Sequence, residues 1–179
     1  MLYVLLFQAA CKDMKLREFR QEDADVICKW IKDETSLYEW SADRISRYPF
    51  TAGDLVDHHK RTMSEEKFMP FTYVDNNGVP IGHMAIRYPD EHDKSCVRFG
   101  FVIIAPVLRR RGLAAAMLEE ACEYSRDVLH ASKASLSVFT TNEKAIRCYE
   151  SRGFRRTGET ESYELPAGSW EGVVMERDL

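Results

Sequence analysis

Apolar and polar positions along this chain switch repeatedly between a period of two and a helical period. Residues 14–19 alternate apolar with charged side chains and predict a first strand. From Asp23 to about Lys32, the residues Ala24, Ile27, Cys28 and Ile31 fall on one helical face, with Asp23 or a neighbour as cap. Residues 34–49 read as short helix and loop rich in aromatics, and residues 53–63 as a second helix. The clearest hairpin is 71–86, two strand-like runs around Asn76, Asn77 and Gly78. A polar loop, 89–94, precedes a strand over 95–105. Leu113, Met117, Ala121, Tyr124 and Val128 then recur at helical spacing within 112–130. Residues 134–140 predict a short strand, Asn142 caps a helix ending near Gly153, and 157–163 and 172–176 supply two last strands. A hairpin followed by alternating strands and helices predicts an α/β (α+β layered) domain with a mixed sheet.

Length and composition narrow the setting. The 179 residues suit a single domain over 14–179, preceded by an apolar extension, 1–13. Hydrophobic content of 45% supports a real core and excludes global disorder. The extension lacks a basic leading segment and is far too short to span a bilayer, so an extra strand or a loosely ordered arm is expected, and no membrane role. The five cysteines are scattered, form no CxxC pair and match no zinc spacing, which points to reduced cytoplasmic thiols and no metal. A net charge of −4 gives no support for nucleic-acid binding. The charge is uneven, however: residues 106–160 carry ten Arg or Lys against seven Asp or Glu. The acidic remainder either attracts a cationic substrate or is a solvated surface.

The candidate chemistry begins at residues 101–114. An apolar strand through Phe101, Val102, Ile103 and Ile104 stops at Pro106, then Arg109, Arg110, Arg111 and Gly112 lead into a helix through Leu113 and Ala114. A strand, a tight basic turn and a helix start bring main-chain N–H groups and the positive helix end to one place, which suits a phosphate or pyrophosphate. The turn lacks the GxGxxG of a dinucleotide fold, and no GxxxxGK[ST] loop occurs. It has instead the form [QR]xxGx[GA]. Gly112 permits close approach, Ala114 keeps the first helical turn clear, and the arginines offer countercharge. A second element, 142–154, is a helix capped by Asn142 and carrying Tyr149, closed by Gly153 and Phe154.

Together these two elements, in this order and with a strand between them, resemble the GCN5-related N-acetyltransferases over about residues 15–177. The resemblance implies a mixed, mostly antiparallel sheet flanked by helices, with a splayed strand pair admitting acetyl-CoA. It implies that the cofactor runs beside Phe101, Val102, Ile103 and Ile104, main chain near Val102 and Ile104 bonding it. The pyrophosphate would rest on the turn Arg109, Arg110, Arg111, Gly112, Leu113 and Ala114, with Asn142 as a further contact. Tyr149 matches the general acid that protonates the leaving thiolate. The acceptor is then a primary amine of a small molecule or a protein N-terminus. A non-catalytic acyl-CoA-binding protein on the same scaffold is the alternative.

The proton acceptor stays open. Residues 95–101 contain no carboxylate, which leaves Glu91 and Asp93 in the preceding loop, His83 on the third strand, or a water relay. Arg98 is either exposed or paired with an acid. Trp40, Tyr48, Phe50 and Tyr73 are candidates to shape the acceptor site, and the late strands or the N-terminal arm to support a homodimer.

Overall fold

The computed structural model describes residues 14–45, 47–65 and 68–179, and the expected N-terminal arm lies outside them. β1 (Lys15–Glu18) leads into a short helix α1 (Ala24–Ile27) flanked by 3-10 turns, then α2 (Glu34–Ser41) and α3 (Ala52–Glu65). β2 (Met69–Val74) and β3 (Pro80–Arg87) form the hairpin, whose turn places Gly78 at φ 78°. β4 (Cys96–Ile104), α4 (Leu113–Asp127), β5 (Lys133–Phe139) and α5 (Glu143–Glu150) follow, and β6 (Arg155–Leu165) and β7 (Gly168–Asp178) close the chain. The strands form one sheet in the order β1-β2-β3-β4-β5-β7-β6, antiparallel everywhere except between β4 and β5.

Each face of the sheet buries its own core. α4 and α5 cover one face, where Val97, Phe99, Met117, Leu118, Leu136, Ile146 and Phe154 pack together. α1, α2 and α3 cover the other, with Ala24, Ile27, Leu37, Trp40, Leu55, Phe101 and Ile103. Each such fully buried side chain contributes about 1.5–3 kcal/mol relative to exposure, so both layers are held firmly to the strands. Among the described residues no helix is long and apolar enough to cross a membrane.

Three expectations change. The helix expected over 23–32 is a helical run of mixed type, 3-10 over Gln21–Asp23 and Cys28–Trp30 with α only over Ala24–Ile27, and it ends where Ile31 turns extended. Asp23 near its start accepts from Arg17 at 2.7 and 2.8 Å, the Thr72 hydroxyl at 2.7 Å and the Arg20 main-chain N–H at 2.9 Å. Val128 lies beyond the last turn of α4 and is exposed rather than part of its inner face. The last two strands are much longer than the sequence suggested, at eleven residues each. β6 exposes nearly its whole length, so its alternation carries no apolar signal and pairing with β7 holds it.

Candidate active site

β4 and β5 pair through Cys96, Val97, Arg98 and Phe99 against Lys133, Ala134, Ser135 and Leu136. Beyond Phe99 they part, although both strands continue. The cause is visible in the register with β3. Ala85 faces Gly100 and His83 faces Ile103, so two steps on β3 match three on β4. The extra residue makes a β-bulge, and Phe101 takes the left-handed φ of 55°. For a bulky side chain that conformation costs roughly 1–2 kcal/mol. It is offset by Trp40, whose indole Nε1–H donates to the Phe101 carbonyl at 2.7 Å and whose ring meets Phe101 edge-on at 5.1 Å. The bulge also switches faces: Val97 and Phe99 belong to the α4/α5 core, Phe101 and Ile103 to the opposite one.

A cleft of about 630 Å³ opens where the strands part. Gly100, Phe101 and Val102 form one wall, Ser137, Val138 and Phe139 the other, with Asn142, Ala145 and Tyr149 of α5 beside them. The pairing of β4 with β5 ends at Phe99 and Leu136, and past it the Phe101 carbonyl accepts from Trp40. Ile103 and Ile104, by contrast, are buried in the two cores and do not line the cleft.

A 3-10 turn (Pro106–Leu108) carries the chain from the end of β4 to the start of α4. Arg110 and Gly112 both adopt positive φ, 65° and 74°. A Cβ on Gly112 would touch nothing, so glycine is required there by backbone conformation rather than by space. Ala116 N–H makes the first helical bond, to the Gly112 carbonyl at 3.1 Å, so the N–H groups of Leu113 and Ala114 precede the ladder. Leu113 is buried and anchors this helix end. All three arginines are exposed, and Arg109 folds back so that its Nε donates to the Ile104 carbonyl at 3.1 Å.

On α5, the Asn142 side-chain oxygen accepts from Ala145 N–H at 3.2 Å, a true helix cap at the cleft margin. Tyr149 lies on the inner face of the same helix, 8% exposed, with its ring edge-on to Phe154 at 6.0 Å. Burial, with a smaller contribution from Cys148, pushes its phenol well above the ordinary value. The hydroxyl therefore stays protonated, able to donate and unable to act as a base.

The proton-acceptor candidates fare differently. Glu91 and Asp93 sit in the exposed loop away from the cleft, Asp93 accepting from Ser95 N–H at 2.8 Å. His83 is fully buried and does not line the cleft, but it contacts His59, which contacts His58 in the cleft wall. Arg98 is paired rather than exposed: its Nη2 donates to both carboxylate oxygens of Glu161 at 2.7 Å, and Tyr163 donates to the same carboxylate. Burial works against ionised Glu161, yet Tyr163 and Arg98 hold it below the usual carboxylate range. Of the aromatics, Trp40 lines the cleft and Phe50 supports it edge-on. Tyr48 is 40% exposed, and Tyr73 packs in the α4/α5 core.

Sequence reasoning missed Glu161, Tyr163, His58 and His59. The first two reach the cleft through strand pairing alone, which no local pattern announces. His58 and His59 did leave a signal, since with Leu55 and Thr62 they fill a helical stripe.

A model of the acetyltransferase (GNAT) family matches residues 24–154. The structure of spermidine N-acetyltransferase from Vibrio cholerae in complex with CoA and spermine superposes with a TM-score of 0.75 at 21% identity, covering 92% of this chain and 94% of that one. A dodecameric structure of the same Vibrio cholerae enzyme gives a TM-score of 0.70 at 22% identity, over 93% and 94%. These likenesses show a shared fold. L-amino acid N-acetyltransferase AaaT of Escherichia coli (strain K12) is 28% identical over 94 residues, which are 52% of this chain and 58% of that relative's length.

Proposed function

Because the chain belongs to the acetyltransferase (GNAT) family, we propose that it transfers an acetyl group from acetyl-CoA to the primary amine of a small molecule. The observation that carries this is the parting of β4 from β5 into a cleft, while β4 itself runs on to the turn at the N-terminus of α4. Acetyl-CoA, when bound, supplies an activated acetyl thioester. Main chain at Phe101 and Val102 would hold its extended arm, the turn 109–114 its phosphates, and Asn142 would add a contact from α5. A main-chain N–H of β4 polarises the thioester carbonyl. Tyr149, kept protonated by burial, donates to the departing sulfur. Thiols unpaired at Cys28, Cys96, Cys122 and Cys148 suit a reducing cytoplasm.

The cleft lining carries both signs of charge. Arg44, Arg61, Arg87 and Arg98 line it together with Glu39, Asp43 and Glu161. Arg98 and Glu161 neutralise each other, so the lining by itself does not select among amines.

Calorimetric titration with acetyl-CoA, followed by an amine panel of amino acids, polyamines and peptides with free N-termini, tests the reading. Saturable binding, lost in a folded Gly112→Asp variant, with acetylation of a small-molecule amine, supports it. Binding without acetylation of any amine favours an acyl-CoA-binding protein, and no binding by the native protein removes the transferase reading altogether.

A further inference from the structure

Trp40 lies on the inner side of α2, buried yet bordering the cleft. A buried indole N–H needs an acceptor. Its acceptor is 61 positions away along the chain, the Phe101 carbonyl at 2.7 Å. The bond is itself buried, and it falls on the residue of β4 whose φ is positive, 55°. The indole is held in turn by its surroundings. Its ring meets Phe50 and His83 at 5.8 Å and Phe101 at 5.1 Å, each edge-on. Behind it, α2 is fixed by reciprocal bonds between Asp33 and Ser36 at its start and by buried Leu37 and Tyr38.

This bond also orients the group on the far side of the peptide. A carbonyl and the N–H that follows it share one plane, and in a trans peptide they point in opposite directions. The peptide joining Phe101 to Val102 is trans. In a regular strand both groups lie in the sheet and face neighbouring strands. Here the carbonyl turns to Trp40, in the layer covered by α1, α2 and α3. The Val102 N–H is thereby directed away from α2, towards the layer that holds Tyr149. Val102 and Tyr149 both line the cleft. A left-handed φ is unfavourable for a residue with a Cβ, so the indole N–H is what keeps this peptide crosswise to the strand.

Resting on the acetyl-transfer reading above, we propose that Trp40 is a positioning residue for the reaction: by holding the Phe101 carbonyl, it aims the Val102 N–H at the thioester oxygen. As the uncharged amine nitrogen bonds the acetyl carbon, the carbonyl electron pair moves onto oxygen. The Val102 N–H donates to the charge that develops there. The pair returns as the C–S bond breaks with its electrons on sulfur, which takes the Tyr149 proton. The amine gives up its proton to solvent, and solvent reprotonates Tyr149. Trp40 touches none of the reacting atoms. Of the side chains on β4, Arg98 is committed to Glu161, so the strand offers its main chain for this task.

Trp40→Phe keeps an aromatic ring and removes the N–H. Infrared difference spectra with acetyl-CoA carrying ¹³C in its carbonyl read the polarisation directly. The native complex is expected to show the thioester band at lower frequency than free acetyl-CoA, and Trp40→Phe to lose most of that displacement. Calorimetry should give the variant native affinity for acetyl-CoA. With an amine that the native protein acetylates, kcat should fall by about 10²-fold. Trp40→benzothienylalanine keeps the bicyclic shape without the N–H and should reproduce these losses, which separates the bond from packing should Trp40→Phe fail to fold. A native band at the position of free acetyl-CoA overturns the proposal, as does a native band position or undiminished kcat in the folded variants. Each of these leaves the transferase reading standing. A native protein that binds no acetyl-CoA overturns both.

Discussion

A phenol in water loses its proton near pH 10, but Tyr149 is set among apolar side chains and held protonated. Its proposed task needs the hydroxyl, while its packing against Phe154 needs only the ring. Tyr149→Phe is therefore expected to lower kcat by about 10²-fold or more, leaving acetyl-CoA affinity and the unfolding midpoint nearly unchanged. An unaltered single-turnover rate would remove Tyr149 from the chemistry. The inward position of this residue was legible in the sequence because it is local, a phenol at a fixed offset from a capped helix start. Gly112 and Asn142 were legible for the same reason. Glu161 was not, since it meets Arg98 across 63 positions of chain and only the β5-β7-β6 order brings the two together. His58 was half-legible: its helical spacing placed it inward, but nothing local shows that His59 hands its other nitrogen to a strand 24 residues away.

At the scale of elements, α5 illustrates how one residue serves two ends. Asn142 closes the first turn of the helix and also borders the cleft. Asn142→Ala should cost about 1 kcal/mol in urea unfolding and weaken acetyl-CoA binding. Asn142→Ser keeps a capping oxygen, so stability should return while the proposed contact of the amide with the cofactor does not. Equal recovery of both would assign the residue to capping alone. Elements with a clean period, such as α4 and the β2–β3 hairpin, were read well from the sequence. The division of the run from Gln21 to Trp30 into 3-10 and α turns was not, because both have nearly the same apolar spacing over so few residues. β6 was underestimated because an exposed strand has no apolar face to display.

For the whole molecule, the buried histidines set a dependence on pH. Folding keeps His59 and His83 neutral, whereas in the unfolded chain each takes up a proton as pH falls below about 6.5. Stability is therefore complete above that value and declines as pH drops towards the folded values. The two groups together should cost roughly 3 kcal/mol between about pH 6.5 and pH 5. Asp23 acts elsewhere: burial opposes its charge, but Arg17, Arg20 and Thr72 hold its carboxyl below the usual range. Its contribution is present above the unfolded carboxyl value and is lost only as pH falls through the lower folded one. Urea unfolding at about pH 7.5 and pH 5 checks this, and a flat profile would mean that the histidines are not buried neutral.

The extra residue in β4 has one more consequence, which concerns length. Deleting a residue between Gly100 and Ile103 would leave every downstream codon in frame yet act as a frameshift in space. The side chains beyond it would exchange the Trp40 side of the sheet for the α4 side, and the approach to the turn at Gly112 would rotate with them. Gains or losses of two residues would preserve the facing but shift the turn along the strand axis. Variation in chain length at this point is thus quantised in pairs, whereas the exposed tip at Asn76 and Asn77 obeys no such parity.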